Sequence, residues 1–235
     1  MRNHKCSSDE IGSLIARNKR TEELFGILTG EETLVAKKAM ARVDYGKKEV
    51  VIKGGVPVSH VYFLVEGLLD VSQAGSGEQA ILNYILPGDC FGTCCTADEK
   101  AYNFTVSACS DSTVLAINKE DFHILLFSNK NFMYRILQLT AQNQVAVYQR
   151  LASSMVNRLP GRIARALLFF SEKVFRADSY ILPVTKKELA RYAGASRERL
   201  HRTLCQFDDD GIISLSGNTI RIIKPGMLAR LAVHG

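Results

Sequence analysis

Hydrophobic positions in this 235-residue chain change their period several times, and each change marks a different kind of element. Over residues 8–39 the apolar positions are sparse and helically spaced. Leu14, Ile15, Leu24, Phe25, Leu28 and Leu34 are the anchors, which predicts one or two lead helices lying on a larger core. Over residues 41–118 the apolar positions gather into short β-type runs, at 49–52, 61–65, 68–72, 80–86 and 113–117. Gly46, Gly54, Gly55, Gly67, Gly75, Gly77, Gly88 and Gly92 punctuate them. Short runs with tight turns between them predict an antiparallel sandwich or jelly roll. Residues 127–156 contain neither glycine nor proline and read as one long helix. Along it Met133, Leu137, Thr140, Gln144, Val147, Leu151 and Ser154 alternate spacings of 4 and 3, the a/d seam of a helix that pairs with another. Thr140, Gln144 and Ser154 interrupt the seam, and polar residues there can fix register and partner number at some cost in stability. A single helix packed on its own barrel would show a similar stripe, and the pattern alone leaves both readings open.

Arg158-Leu159-Pro160-Gly161 is a hinge signal that stops the long helix and opens a second domain. The helix expected over 162–175 is apolar on one side through Ile163, Ala166, Leu167 and Phe170, and should be the floor of that domain. On it should sit two short helices joined by a tight turn, KKELARYAGASRERLHRTLC, residues 186–205. Leu189, Ala190 and Ala193 have helical spacing, Gly194 supplies the positive φ that ends the first helix, and Ser196 is a good N-cap for the second. Leu200, Leu204 and Phe207 then form one buried stripe, leaving Arg197, Glu198, Arg199, His201 and Arg202 off it. A helix-turn-helix needs this division, because its second helix buries one face and offers the other to a DNA major groove. The plainer alternative is a helical hairpin with solvated charges, Glu198 and Arg202 forming an i,i+4 pair. The residues after the second helix favour DNA. Two β-type runs, 212–215 and 219–223, flank Ser216-Gly217-Asn218, and this hairpin makes the domain a winged helix-turn-helix.

Charge adds to that picture. The net formal charge is +6, but residues 158–235 hold 14 Lys and Arg against 7 Asp and Glu, while the remainder holds 16 against 17. The basic excess therefore lies with the helix-turn-helix, as a polyanionic partner requires. An apolar fraction of 46% and a charged fraction of 23% are those of a globular protein. No apolar run approaches the ~18 residues of a membrane span, and MRNHKCSSDE lacks the apolar core of a secretion signal. A cytoplasmic location with no membrane partner is expected. Six cysteines do not make a disulfide scaffold, but Cys90, Cys94, Cys95 and Cys109 cluster in the β region.

The run VTKKELARYAGASRERLHRTLCQFDDDGIISLSGNTIRI resembles the DNA-binding domain of the Crp/Fnr superfamily of bacterial transcription regulators. PGRIARALL resembles the segment that opens that domain, and YGKKEVVIKGG, VYFLVEGLLDV and LPGDCFG resemble successive turns of the family's β-roll. The resemblance covers nearly the whole chain and is weakest in the lead segment. It implies an α+β architecture of three parts. Residues 1–126 would be lead helices and a cyclic-nucleotide-binding-type β-roll (jelly roll) that senses an effector. Residues 127–157 would be a dimerisation helix, and 158–235 a winged helix-turn-helix. It also implies a homodimer on double-stranded DNA with an inverted-repeat operator, and RNA polymerase as a partner. Arg197, Glu198 and Arg202 match the family's base-reading Arg, Glu and Arg, which implies a half-site related to TGTGA. Thr185, Lys186, Ser196, Ser216 and Asn218 stand at element ends, where donors reach phosphates. Arg199 and His201 replace smaller residues of the family pattern and are assigned secondary contacts beside the phosphates.

The effector region departs from the cyclic-AMP-binding members. There, a Phe-Gly turn precedes a Glu for the ribose and an Arg-Ser pair for the cyclic phosphate. Aligning Phe91-Gly92 and Val106 puts Thr93, Tyr102 and Asn103 at those places. A buried phosphate without an arginine lacks its charge partner, so cyclic AMP is not expected. The effector is unknown. A small hydrophobic molecule lined by Phe91, Gly92, Thr93, Tyr102, Asn103 and Phe104 is one reading, thiol redox or metal sensing or a haem at Cys90, Cys94, Cys95 or Cys109 is another, and no effector at all is a third. The plainest is that these cysteines are core residues. An iron–sulfur sensor would need several N-terminal cysteines, and only Cys6 is there. A cupin-type metalloenzyme would need an H-x-H with a later Glu and His, whereas residues 41–118 hold only His60, and no catalytic constellation stands out, so no enzyme is expected. An interaction module without a DNA role is the remaining alternative, and the basic winged domain argues against it.

Overall fold

A computed structural model of the chain describes residues 2–4, 7–75, 79–93 and 100–235, the first three as backbone only. It divides into two compact units, residues 1–145 and 146–235, so that the long helix contributes to both.

The first unit opens with β1 (Arg2–His4) and then α1 (Ser8–Ala16), α2 (Lys19–Phe25) and α3 (Gly30–Ala39). The lead segment is thus three helices where one or two were expected, because Ser7, Asn18 and Thr29 each restart a helix. Thr29 does so through a capping box, its hydroxyl accepting from Glu32 N while Glu32 accepts from Thr29 N. Leu34 is exposed instead of anchoring; Ala36 takes the buried place on α3.

The roll comes next as β2 (Met40–Tyr45), β3 (Val50–Ile52), β4 (His60–Glu66), β5 (Leu69–Gln73), β6 (Ile81–Ile85), β7 (Cys90–Phe91), β8 (Phe104–Ala108) and β9 (Ser112–Asn118). Two antiparallel sheets result, in the orders β1-β2-β9-β4-β7 and β3-β8-β5-β6. Alternation along the strands sends one set of side chains inward, and both sheets share one core with the helices. At its centre Phe25 meets Phe63 edge-on at 5.0 Å and lies 6.0 Å from Phe132.

Then come α4 (Lys119–Ser128) and α5 (Lys130–Val156). The long helix was expected to start at 127, but Asn129 is extended and its Oδ1 accepts from Asn131 N and Phe132 N, so it ends one helix and caps the next. On α5, Phe132, Ile136 and Leu139 are buried in the roll's core. Met133, Leu137, Val147 and Leu151 of the seam are exposed, Leu137 at 61%.

The second unit continues with α6 (Leu159–Phe169), whose first turn carries Pro160. Residues 158–161 are fastened as well as turned: Arg158 N donates to Gly235 O at 2.8 Å, and the preceding Asn157 Nδ2 to Ala232 O at 2.8 Å. The expected helix to residue 175 changes character, since Phe170–Phe175 is a π-helical turn closed by Arg176 in the left-handed region. The remaining elements are β10 (Ser179–Ile181), α7 (Lys186–Ala193), α8 (Arg197–Asp209), β11 (Ile213–Ser216), β12 (Thr219–Ile222) and α9 (Pro225–His234). The wing is three-stranded, in the order β10-β12-β11, where two strands were expected.

Candidate nucleic-acid interface

Short-range chemistry sets the helix-turn-helix. Thr185 caps α7 with a capping box: its Oγ1 accepts from Glu188 N at 3.2 Å, and Glu188 Oε2 accepts from Thr185 N at 2.6 Å and from Thr185 Oγ1 at 2.9 Å. The Thr185 hydroxyl proton is therefore committed inside the box. The exposed helix start beside Lys186 still carries the positive end of the dipole. Gly194 ends α7 with φ +64°, a conformation glycine adopts without penalty. Arg162 locks this turn, its Nε and Nη2 donating to Ala193 O at 3.0 Å and Gly194 O at 3.1 Å. Ser196 then caps α8, its Oγ accepting from Arg199 N at 3.3 Å.

On α8 Leu200, Thr203, Leu204 and Phe207 are buried, while Arg197, Glu198, Arg199, His201 and Arg202 are exposed. Glu198, His201, Arg202, Cys205, Gln206 and Asp209 line one open depression of about 600 Å³. Among the described residues Arg197, Glu198 and Arg202 enter no ion pair, so the Glu198–Arg202 pair of the plainer reading does not form. Asp208, which sequence reasoning missed as an anchor, accepts from Leu215 N at 3.0 Å and ties the wing to α8. Ser216 and Asn218 stand exposed at the wing's tip, and the Asn218 carbonyl accepts from Leu182 N. Arg150 was likewise missed. Its guanidinium lies 3.8 Å over the Tyr192 ring and Nη2 donates to Tyr192 O at 2.6 Å, fixing the last turns of α5 to α7. A contact across 42 residues leaves no local signal to find it by.

In the roll, Phe91 stacks on Tyr62 at 5.2 Å. Gly92 comes after it with φ +79°, where a Cβ would come within 3.0 Å of His60 O. Thr93 is half-buried and Asn103 exposed. Tyr102 is buried, and its hydroxyl donates to His60 O at 2.7 Å while accepting from His60 N at 3.3 Å. Phe104 meets it edge-on at 5.8 Å. Burial pushes the Tyr62 phenol well above its ordinary value, with Tyr102 adding to the shift. Cys90 and Cys109 are buried and unbridged, Cys109 Sγ lying 3.5 Å from Asp70 Oδ2. Cys94 and Cys95 lie outside the described residues. Among the described residues no group of three metal-ligating side chains could hold an ion, and no helix is long and apolar enough to cross a membrane.

The model of the cyclic nucleotide-binding domain matches residues 42–129, and that of the Crp-like helix-turn-helix domain matches residues 161–231. A CRP-like cAMP-activated global transcriptional regulator of Mycobacterium tuberculosis is 24% identical over 200 residues, 83% of this chain and 89% of that one. The cAMP-activated global transcriptional regulator CRP of Pasteurella multocida is 25% identical over 181 residues, covering 75% and 87% of the two chains. Among solved structures, FixK2 from Bradyrhizobium japonicum superposes with a TM-score of 0.76 at 21% identity, over 83% of this chain and 98% of that one.

Proposed function

The chain belongs to the Crp/Fnr superfamily of transcription regulators, joining a cyclic nucleotide-binding domain to a Crp-like helix-turn-helix, and from that membership we propose that it binds an inverted-repeat operator as a homodimer. The observation that carries this reading is the division of α8 into a buried apolar stripe and an exposed face bearing Arg197, Glu198 and Arg202. Arginine can bind guanine O6 and N7 bidentately and glutamate accepts from cytosine N4, so these three side chains have the chemistry to read a G·C-containing half-site. Lys186, Ser196, Arg199, Ser216 and Asn218 would meet phosphates in this reading, and their part would be to position the domain. The exposed seam of α5, Met133, Leu137, Val147 and Leu151, supports a second copy of the same helix as the dimer partner.

The roll would sense an effector other than cyclic AMP. Thr93, Tyr102 and Asn103 are neutral, and the Tyr102 hydroxyl is already engaged by the His60 backbone. RNA polymerase is the expected second partner, and the cytoplasm the place of action. The functional division is residues 1–126 for sensing, 127–157 for pairing and 158–235 for DNA.

The test is binding of a labelled duplex carrying two TGTGA-related half-sites as an inverted repeat, against a scrambled duplex of the same length at one salt concentration. A regulator of this kind prefers the operator by at least about a thousandfold. Equal affinity for both duplexes would refute the reading.

A further inference from the structure

Asn157 stands just past the end of α5, and although its side chain is polar the residue is only 8% exposed. Its Nδ2 donates to Ser153 Oγ at 3.2 Å, one turn back on α5, and to Ala232 O at 2.8 Å on α9. Its own carbonyl accepts from Arg162 Nη1 at 3.4 Å on α6. A second donor reaches the same α9 oxygen from α6, with Arg165 Nη2 at 2.7 Å from Ala232 O. The oxygen of Ala232 is therefore held from both sides of the α5–α6 connection, by Asn157 before it and Arg165 after it.

On its own, the run Arg158-Leu159-Pro160-Gly161 would let α6 swivel on α5, since α6 starts without a side-chain cap. With the clasp in place, turning one helix against the other must break a buried hydrogen bond and strand its polar groups. Arg150 grips Tyr192 of α7 seven residues before Asn157, which is two helical turns, so both grips lie on one face of α5. That face is committed to the chain's own DNA-binding domain, while Val147 and Leu151 of the seam stay exposed. A domain fixed to one face of a helix that pairs along another has one angle to the two-fold axis, and the distance between the two α8 helices follows from it. We propose that Asn157, with Arg165, is a positioning residue for operator recognition, clasping α9 across the α5–α6 connection and so fixing the half-site spacing that the dimer accepts. This rests on the operator reading above and adds spacing to what α8 would read.

The experiment compares affinities of the full-length chain for the inverted-repeat operator, for duplexes with one base pair added to or removed from the spacer, for a single half-site and for a scrambled duplex. One base pair turns a half-site by about 35° around the DNA axis. The wild-type chain should bind either altered spacer at least about tenfold more weakly, because one domain must give up contacts or the DNA must twist. Asn157→Leu and Arg165→Leu should each cut that penalty to about threefold or less and leave single half-site binding unchanged, because a domain freed from the clasp can follow the displaced half-site. If Asn157→Leu does not fold, Asn157→Ser, which lacks the reach to Ala232 and adds no bulk, reads the same ratio. An unchanged spacer penalty in the variants would overturn the inference and leave the operator reading standing. So would an equal loss on every duplex, the single half-site included, since Asn157 would then only hold the domain together. A wild-type chain indifferent to spacing but still preferring half-sites to the scrambled duplex would overturn the inference alone, and one with no preference for the operator would overturn both.

Discussion

Replacing Tyr102 by Phe removes one oxygen from the roll and tests whether this residue is built into the protein or turned toward a ligand. The hydroxyl makes two hydrogen bonds to one residue of β4, donating to His60 O at 2.7 Å and accepting from His60 N at 3.3 Å. The aromatic ring is kept, so the edge contact with Phe104 survives. A hydrogen bond of this kind contributes about 1 kcal/mol, and stranding partly buried backbone groups raises the cost, so the substitution should destabilise the protein by about 2 kcal/mol. In a cooperative unit near 150 residues each kcal/mol moves Tm by roughly 2–4 °C, which gives a fall of about 6 °C. Thermal denaturation of the full-length chain followed by calorimetry reads this directly, with operator affinity measured on the same samples below the transition. An unchanged Tm together with an altered response to small molecules would refute the reasoning, since the hydroxyl would then serve an effector instead of β4.

Three further outcomes are expected from the same structure. Arg202→Ala should cost about 1–3 kcal/mol of discrimination at one guanine per half-site in competition binding, and an equal loss on every sequence would mark Arg202 as a phosphate contact. Leu137→Glu combined with Leu151→Glu should leave the chain folded, because both side chains are exposed, but sediment as a monomer with weakened operator binding; a dimer that persists would contradict the seam. Asp89 lies with Oδ1 3.0 Å from Arg20 Nη1 and accepts from Leu86 N, yet burial outweighs both partners and holds its carboxyl above the usual carboxylate value. The folded chain therefore binds this proton more tightly than the unfolded one. The carboxyl's contribution is fully present below the unfolded value and is lost as pH rises through the raised one. Asp89→Asn should make the urea-measured stability less dependent on pH as pH rises above the ordinary carboxylate value, and an unchanged slope would count against the assignment.

The features legible in the sequence are those that a few neighbouring residues decide among themselves. Thr185 and Glu188, Gly194, Ser196 and the stripe of Leu200, Leu204 and Phe207 act within one or two helical turns, and each stands in the structure as its spacing implied. The errors share the opposite property or a subtler local one. The break at Asn129 comes from a side-chain cap within a run that has no glycine or proline, so helix propensity concealed it. β10 exists because Tyr180 pairs with Ile220, and Arg150 grips Tyr192, in both cases across about 40 residues where local pattern carries no information. Tyr102 combines both cases. Set against the family motif, it stands where an arginine would be expected, which is the ground for proposing an effector other than a cyclic phosphate. Its contact with His60, 42 residues away, shows what the residue does instead, fastening the end of β4 from inside the roll. A substitution that loses a ligand's charge partner while gaining an internal hydrogen-bond partner favours a roll that answers to a different signal over one merely impaired for the old one.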